Sequence, residues 1–138
     1  MCMVMGFLYS KYIITCKNAM SHSDGTLTFE RAFEHLSLKR LPTKIDFYLV
    51  VGLDYSLGSD DDLSISFEIT DPNDDLLAEG VLLDLEPVEF ENSAFVANIT
   101  NLKNVPVKKR GLYTIYIKHQ GRVICKQDIL ISKGREDS

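Results

Sequence analysis

The sequence lacks the features that mark nucleic-acid-binding and membrane proteins. Its 138 residues include 15 Lys and Arg against 20 Asp and Glu, and the net charge of −5 argues against binding to phosphate backbones. No glycine-rich phosphate loop is present, and the N-terminal apolar run is far shorter than the ~20 residues that a membrane span needs. We therefore expect a soluble globular protein with no nucleic-acid or membrane partner.

Cysteine is also scarce. Cys2, Cys16 and Cys125 show neither metal-ligand spacing nor a CxxC pair. In a chain long enough to build a core, they are expected to be reduced thiols in a reducing compartment. The alternative is a disulfide between Cys16 in the predicted first strand and Cys125 in the last, because these strands can be neighbours in a sandwich. Both interpretations stay open at this point.

The apolar N-terminus does not have the pattern of an export signal. No basic residue precedes the apolar run, Lys11 interrupts it, and no small-residue cleavage site follows. We therefore expect a cytoplasmic protein with an N-terminal extension at 1–10, one domain at 11–132 and a polar tail at 133–138.

Alternation of apolar and polar residues predicts β-strands along most of the chain. The clearest is Leu63–Thr70, LSISFEIT, which pairs in a predicted hairpin with Leu76–Leu85, where Gly80 marks a bulge. Turn signals recur roughly every 8–12 residues, the spacing of β-sandwich folds. The sequence therefore predicts an all-β, two-sheet antiparallel β-sandwich, immunoglobulin- or fibronectin-like, with seven to eight strands.

The segment Glu30–Arg40, ERAFEHLSLKR, fits two structures. Ala32, Phe33 and Leu36 fall at helical spacing, and several residues favour helix. In an otherwise all-β chain a strand or an irregular crossing is expected instead, and we favour a strand for Thr26–Phe33.

The stretch Gly111–Ile131 predicts the closing hairpin, with a reversal at His119-Gln120-Gly121-Arg122. His119 and Cys125 flank this turn. Strand geometry is expected to hold them roughly 15–20 Å apart, which excludes a catalytic dyad. Neither His22 nor His35 lies near a Gly-x-Ser-x-Gly or cysteine-containing catalytic pattern. We therefore predict no catalytic residues, no cofactor and no enzymatic activity.

These elements together resemble a known family. The order of the Tyr12-Ile13-Ile14 strand, the Asp24-Gly25 turn, the Asp71-Pro72 turn and the Gly111-x-Tyr113 hairpin is similar to a family of small uncharacterised bacterial proteins. The resemblance implies an immunoglobulin-like β-sandwich across most of the chain after residue 10. It implies no activity and no functional residues.

Two aspartate clusters raise the question of a metal site, since calcium-binding sandwiches use acidic loops at one pole. The clusters, at Asp60–Asp62 and Asp71–Asp75, flank one strand and cannot share an ion, because eight residues span ~26 Å. Pairing of that strand with Leu76–Leu85 would instead gather carboxylates at one pole. The candidate calcium or small-ligand residues are Asp60, Asp62, Asp84 and Glu86.

Two functions follow as expectations. The first is a non-enzymatic sandwich that acts through protein–protein contact or self-association, including a homodimer, because sandwiches expose strand edges and the apolar segment Met3–Tyr9 needs cover. The second is a calcium- or small-ligand-binding module that uses the acidic pole.

Overall fold

The structure is a computed structural model, and it describes residues 7–56, 63–85 and 93–134. Within these residues the chain forms nine β-strands and no helix, which confirms the predicted all-β class and adds to the seven to eight strands expected. The strands are β1 (Phe7–Ser21), β2 (Leu27–Ala32), β3 (His35–Leu38), β4 (Thr43–Ser56), β5 (Leu63–Thr70), β6 (Leu76–Leu85), β7 (Ser93–Val107), β8 (Gly111–His119) and β9 (Arg122–Lys133).

The strands form the predicted two-sheet sandwich. A four-stranded sheet has the order β2-β1-β4-β7, and a five-stranded sheet has the order β3-β9-β8-β5-β6. One pair departs from the expected antiparallel arrangement, because β3 runs parallel to β9, with His35 opposite Leu130. A parallel neighbour cannot come from a tight hairpin, and β3 reaches this position only after crossing from the other sheet.

The core lies between the two sheets and follows the alternation of the strands. In β5 and β8 the inward residues are Ile65, Phe67, Ile69, Tyr113, Ile115 and Ile117. The central strand β4 is buried on both faces. Leu49 and Val51 point into the main core, whereas Val50 joins a second cluster with Cys16 and Ala19. This double burial explains why β4 reads as an almost continuous apolar run.

The ambiguous segment Glu30–Arg40 contains strands and no helix, so the helical alternative is wrong. β2 ends at Ala32, and β3 occupies His35–Leu38. Between them the chain crosses from the four-stranded sheet to the five-stranded sheet. The intrinsic helix preference is overridden because both strands gain main-chain hydrogen bonds from long-range neighbours, β1 and β9.

Two strands reach further than the local sequence indicates. β1 begins at Phe7, and Phe7–Ser10 of the predicted N-terminal extension pair with Leu53–Ser56 of β4. β7 continues to Val107 and pairs with β4 up to that residue. In both cases a neighbouring strand continues the hydrogen-bonded ladder, which the local sequence does not reveal.

The predicted β5–β6 hairpin is present, with one difference in detail, at Gly80. Asp71 holds the turn by accepting the backbone N–H groups of Asn73 and Asp75, and Asp74 has a positive φ of 67°. Gly80 is not at a bulge. It lies opposite Phe67, and a β-carbon at Gly80 would stand 3.0 Å from the ring.

The closing hairpin of β8 and β9 is confirmed. Its turn places Gln120 and Gly121 at φ 51° and 80°, so both central residues are left-handed, as in a type I′ turn. At the start of β8, the buried Tyr113 hydroxyl donates a hydrogen bond to the Lys109 carbonyl at 2.5 Å. This contact ties the loop before β8 to the core.

Candidate functional site

β1 and β9 approach each other along one side of the sandwich without pairing, and we call this place the open side. β2 pairs with β1 only from Cys16 to Ser21, and β3 pairs with β9 only from Leu130 onward. Within the described ranges no further strand pairs with the outer edge of the preceding part of β1 or β9. Unpaired strand edges carry hydrogen-bonding groups that attract another strand. This is therefore the place where the fold offers main-chain groups to a partner.

A cavity of about 580 Å³ lies at this open side. Residues from β1, β2, the crossing and β9 line it: Ile13, Ile14, Thr15, Phe29, Ala32, Phe33, Glu34, His35 and Gln127. Most of the lining is apolar, with a few polar groups at the margin. This composition is typical of binding sites in proteins of this size.

The crossing that closes one end of the cavity is held by Thr15. The Phe33 N–H donates to the Thr15 carbonyl at 2.8 Å, and the Thr15 hydroxyl donates back to the Phe33 carbonyl. The Phe33 ring meets Phe47 edge to face, with centroids 5.8 Å apart, and Lys17 Nζ lies 5.2 Å from the ring centroid of Phe33. The crossing is thus tied to both backbone and core, which gives the cavity a fixed wall.

Polar groups gather at the cavity margin. His35 Nε2 lies 2.8 Å from the Ser132 hydroxyl, which orients the imidazole ring toward β9. Gln127 Nε2 donates to the Asp128 carbonyl at 3.2 Å. The Glu34 carboxylate is exposed and takes part in neither of the ion pairs found among the described residues, Lys11–Asp54 and Lys118–Glu68. Glu34 therefore gives the margin a negative charge.

The structure places only part of the predicted acidic pole. Asp60, Asp62 and Glu86 lie outside the described residues. Asp84 is exposed on β6, opposite Ser64 of β5, so the strand pairing assumed for this pole is present. The ranges that the structure describes contain no cluster of three or more His, Cys, Asp or Glu suited to a metal ion. The calcium site stays a prediction.

The expected separation of His119 and Cys125 was wrong. Cys125 pairs with Ile117, two residues from His119, so the two residues are diagonal neighbours on adjacent strands. Diagonal neighbours in a sheet have Cα atoms roughly 7–8 Å apart. The earlier expectation counted residues along the chain and overlooked that a hairpin folds the two strands side by side.

Neither Cys16 nor Cys125 forms a disulfide, as expected for reduced thiols. Cys16 is fully buried in the second cluster, and its Sγ lies 4.0 Å from the Tyr48 carbonyl oxygen. Burial raises the pKa of the Cys16 thiol, while the Asn18 N–H acts in the opposite direction. Cys16 therefore behaves as a small core residue with low nucleophilicity.

Sequence reasoning missed the open side and its cavity. One signal was available in β9, where the inward series Cys125, Gln127, Ile129, Ile131 is interrupted by an amide. A second signal was Thr15, a polar side chain in an apolar strand that is only 2% exposed. A polar side chain at an inward position indicates either a local hydrogen bond or an opening to solvent. Thr15 marks a local hydrogen bond, and Gln127 marks the opening.

Comparison with known proteins gives the fold and a family. Structures of a β-glucosidase from Listeria innocua are similar: the complex with isofagomine has a TM-score of 0.51 and 9% identity, and the complex with glucose has 0.49 and 11%. Each alignment covers 95% of this chain but only 16% of the enzyme, so this chain matches a small part of it. This likeness extends to the fold alone. No curated protein matches.

In the three described ranges no helix has the length and apolar character needed to cross a membrane.

The model of a family described as "Family of unknown function (DUF6941)" matches residues 11–132. This match covers most of the chain and confirms the resemblance inferred from its strand and turn motifs. The chain therefore belongs to this family of unknown function, DUF6941.

Proposed function

We propose that this protein is a non-enzymatic, cytoplasmic β-sandwich that acts through contact with another protein or with a second copy of itself. The observation that carries the proposal is the open side between β1 and β9, where two incompletely paired strand edges lie beside an apolar cavity. Such edges bind partners by adding a strand to the sheet, and neighbouring pockets supply selectivity.

An exposed aromatic residue at the opening supports a protein partner. Phe29 lines the cavity and is 37% exposed. Exposed aromatic side chains are enriched at protein interfaces. An edge with main-chain groups, apolar anchors and one carboxylate offers a protein both shape and hydrogen bonds.

We also propose that the sandwich is immunoglobulin-like. The orders β1-β4-β7 and β9-β8-β5-β6 correspond to strands A-B-E and G-F-C-C′ of that fold, with β2 and β3 as additions between A and B. The hydrogen bond from Tyr113 to Lys109 supports this, because a tyrosine near the start of strand F that bonds back to the preceding loop is a hallmark of the class. In this fold the strand edges and end loops commonly carry the binding function.

Site-specific photo-crosslinking tests the proposal. A benzoylphenylalanine is placed at Phe29 at the open side or, as a matched control, at Leu112, which is 49% exposed on the outer face of β8. We expect covalent protein adducts in cells from position 29 in clear excess over position 112. Light scattering of the purified protein over a range of concentrations identifies self-association. Equal or absent adducts at the two positions would refute the proposal.

A further inference from the structure

We infer that the open side binds an extended peptide segment as an added strand on β9, with an apolar side chain in the cavity and a basic side chain beside Glu34. This inference rests on the proposed protein-contact function and names the class of partner. Three features of the described residues carry it: the direction of the main-chain groups of β9, the lining of the cavity, and the charge at its margin.

The main-chain groups of β9 point into the opening. The Leu130 N–H donates to the Glu34 carbonyl at 2.9 Å, so it faces the β3 side of β9. Main-chain groups alternate in direction along a strand, and those of Asp128 therefore face the same side. β3 begins only at His35, opposite Leu130, and in the described ranges no strand pairs with β9 before that point, although β1 runs near it. An incoming strand meets an N–H donor and a carbonyl acceptor at Asp128.

The Gln127 side chain occupies a main-chain acceptor of this edge when no peptide is bound. Its side-chain amide bonds to the Asp128 carbonyl at 3.2 Å, the long end of the normal range. A peptide N–H from an added strand can take over this acceptor with better geometry. Gln127 is half-buried and lines the cavity, so its displacement also widens the entrance. The Asp128 carbonyl thus has a hydrogen-bond partner when no peptide is bound and can accept a peptide N–H when one binds.

The cavity accepts the inward side chains of such a strand. Alternate residues of a strand point to opposite faces, so every second side chain of the added segment enters the sandwich. Ile13, Phe29 and Phe33 supply an apolar wall there. A phenylalanine or leucine of the peptide fills this space, and its apolar surface is removed from water. A charged side chain at that position is buried without a partner.

The charge at the margin favours a basic neighbour. Among the described residues that line the cavity, Glu34 is the only Asp, Glu, Lys or Arg, and it is exposed; Lys17, whose Nζ lies over the Phe33 ring, is not among the lining residues. A lysine or arginine two positions from the apolar anchor lies on the same face of the peptide and reaches this margin. An exposed ion pair contributes little affinity, so Glu34 sets a preference between peptides and does not provide most of the binding.

Titration of blocked heptapeptides, followed by calorimetry on the full chain, tests the inference. The probe is acetyl-TKVFVKT-amide. We expect saturable binding that falls at least about tenfold when alanine replaces the phenylalanine, because the apolar anchor is lost. Replacement of both lysines by glutamate should weaken binding about threefold or more. The variant Glu34→Gln should remove this preference for lysine while it retains binding.

Two changes test main-chain pairing. Asp128→Pro removes the outward N–H and should abolish binding, while the ladder with β8 is kept, since proline is tolerated where its missing N–H faces an open edge. Thr114→Val is the control. It removes the hydrogen bond from the Thr114 hydroxyl to the Asp128 carboxylate, which Asp128→Pro also removes, and it should bind the probe as the parent does. A probe N-methylated at alternate peptide nitrogens gives the same test on the unaltered protein and should not bind.

The outcomes separate this inference from the function on which it rests. No binding of the probe at about 1 mM, or equal binding of the N-methylated probe, overturns the inference. If the adducts at position 29 persist in that case, the protein-contact function stands and the partner does not bind as an added strand. If adducts and peptide binding are both absent, both proposals fail.

Discussion

Thr15 shows how one hydroxyl can decide the geometry of the open side. It bonds to Phe33 through both its carbonyl and its hydroxyl while it is almost fully buried. Thr15→Val should lower the free energy of unfolding by about 1–3 kcal/mol, because the Phe33 carbonyl loses its side-chain donor in a buried setting. Thr15→Ser keeps the hydroxyl and is the matched control.

Denaturant unfolding measures both variants. Thr15→Ser should lose less stability than Thr15→Val, even though serine lacks a methyl group that valine retains. The reverse order would show that packing, and not the hydrogen bond, holds the crossing. Because the crossing forms one wall of the cavity, peptide binding by Thr15→Val provides a second measurement.

Tyr113 links the core to the pH dependence of stability. Burial raises its pKa above the ordinary 10.0, with Asp71 acting in the same direction, and burial also raises the pKa of the Cys16 thiol above 9.0. A group whose pKa is raised in the folded state contributes its full stabilisation at pH values below its unfolded-state pKa. That stabilisation is lost as the pH rises through the folded-state pKa. The melting temperature should therefore fall as pH rises above 9.

The variant Tyr113→Phe isolates the hydroxyl. It removes the hydrogen bond to Lys109 and should cost about 1 kcal/mol at neutral pH, while part of the alkaline loss disappears with the titrating group. Tyr116→Phe, on the opposite face of the same strand, is the control and should cost less. Melting curves from pH 7 to 10.5 report both effects. Identical alkaline behaviour of Tyr113→Phe and the parent would contradict the assignment.

At the scale of elements, the turn between β8 and β9 contains an avoidable strain. Gln120 has φ 51° at the first central position, where asparagine followed by glycine is the preferred pair. Gln120→Asn should raise stability by about 0.5–1 kcal/mol, because asparagine tolerates the left-handed region better. Gln120→Val should lower it. Thermal melts that rank valine at or above asparagine would exclude a type I′ turn.

The first strand extends into the N-terminal residues, and truncation tests its importance. Removal of Met1–Ser10 deletes the four residues of β1 that pair with Leu53–Ser56 of β4. This should lower the melting temperature by about 5 °C or change the oligomeric state, since β4 loses ladder hydrogen bonds. Removal of Met1–Gly6 spares every residue of β1 and is the control. Unchanged melting and light-scattering mass after the longer truncation would refute this prediction.

At the scale of the whole molecule, calcium separates the two functions expected from sequence. Ligands that bind the folded state raise the melting temperature. For a protein-contact sandwich, about 1 mM calcium should leave the melting temperature unchanged within about 1 °C. A rise that disappears in Asp84→Asn would favour the acidic pole instead, because Asp84 is one of its four candidate ligands.

The local sequence predicted the elements that depend only on neighbours along the chain. Strict alternation in Leu63–Thr70 identified β5 and its inward face. The Asp71-Pro72 and Gly121 turns located two hairpins, since turn chemistry acts within a few residues. For Glu30–Arg40 the same local view left a helix and a strand open, because a helical preference competes there with strand pairing. It misjudged His119 and Cys125, because their proximity depends on register across a hairpin.

The sequence by itself therefore determined the all-β class, most strands, their buried faces and the net charge. Only the tertiary structure decided that β3 pairs in parallel with β9, that the crossing is fastened to Thr15, and that one side of the sandwich stays open beside a cavity. The physical reason is that alternation records which face of a strand is buried, whereas the partner of an edge is chosen by residues almost a hundred positions away, as His35 and Leu130 are.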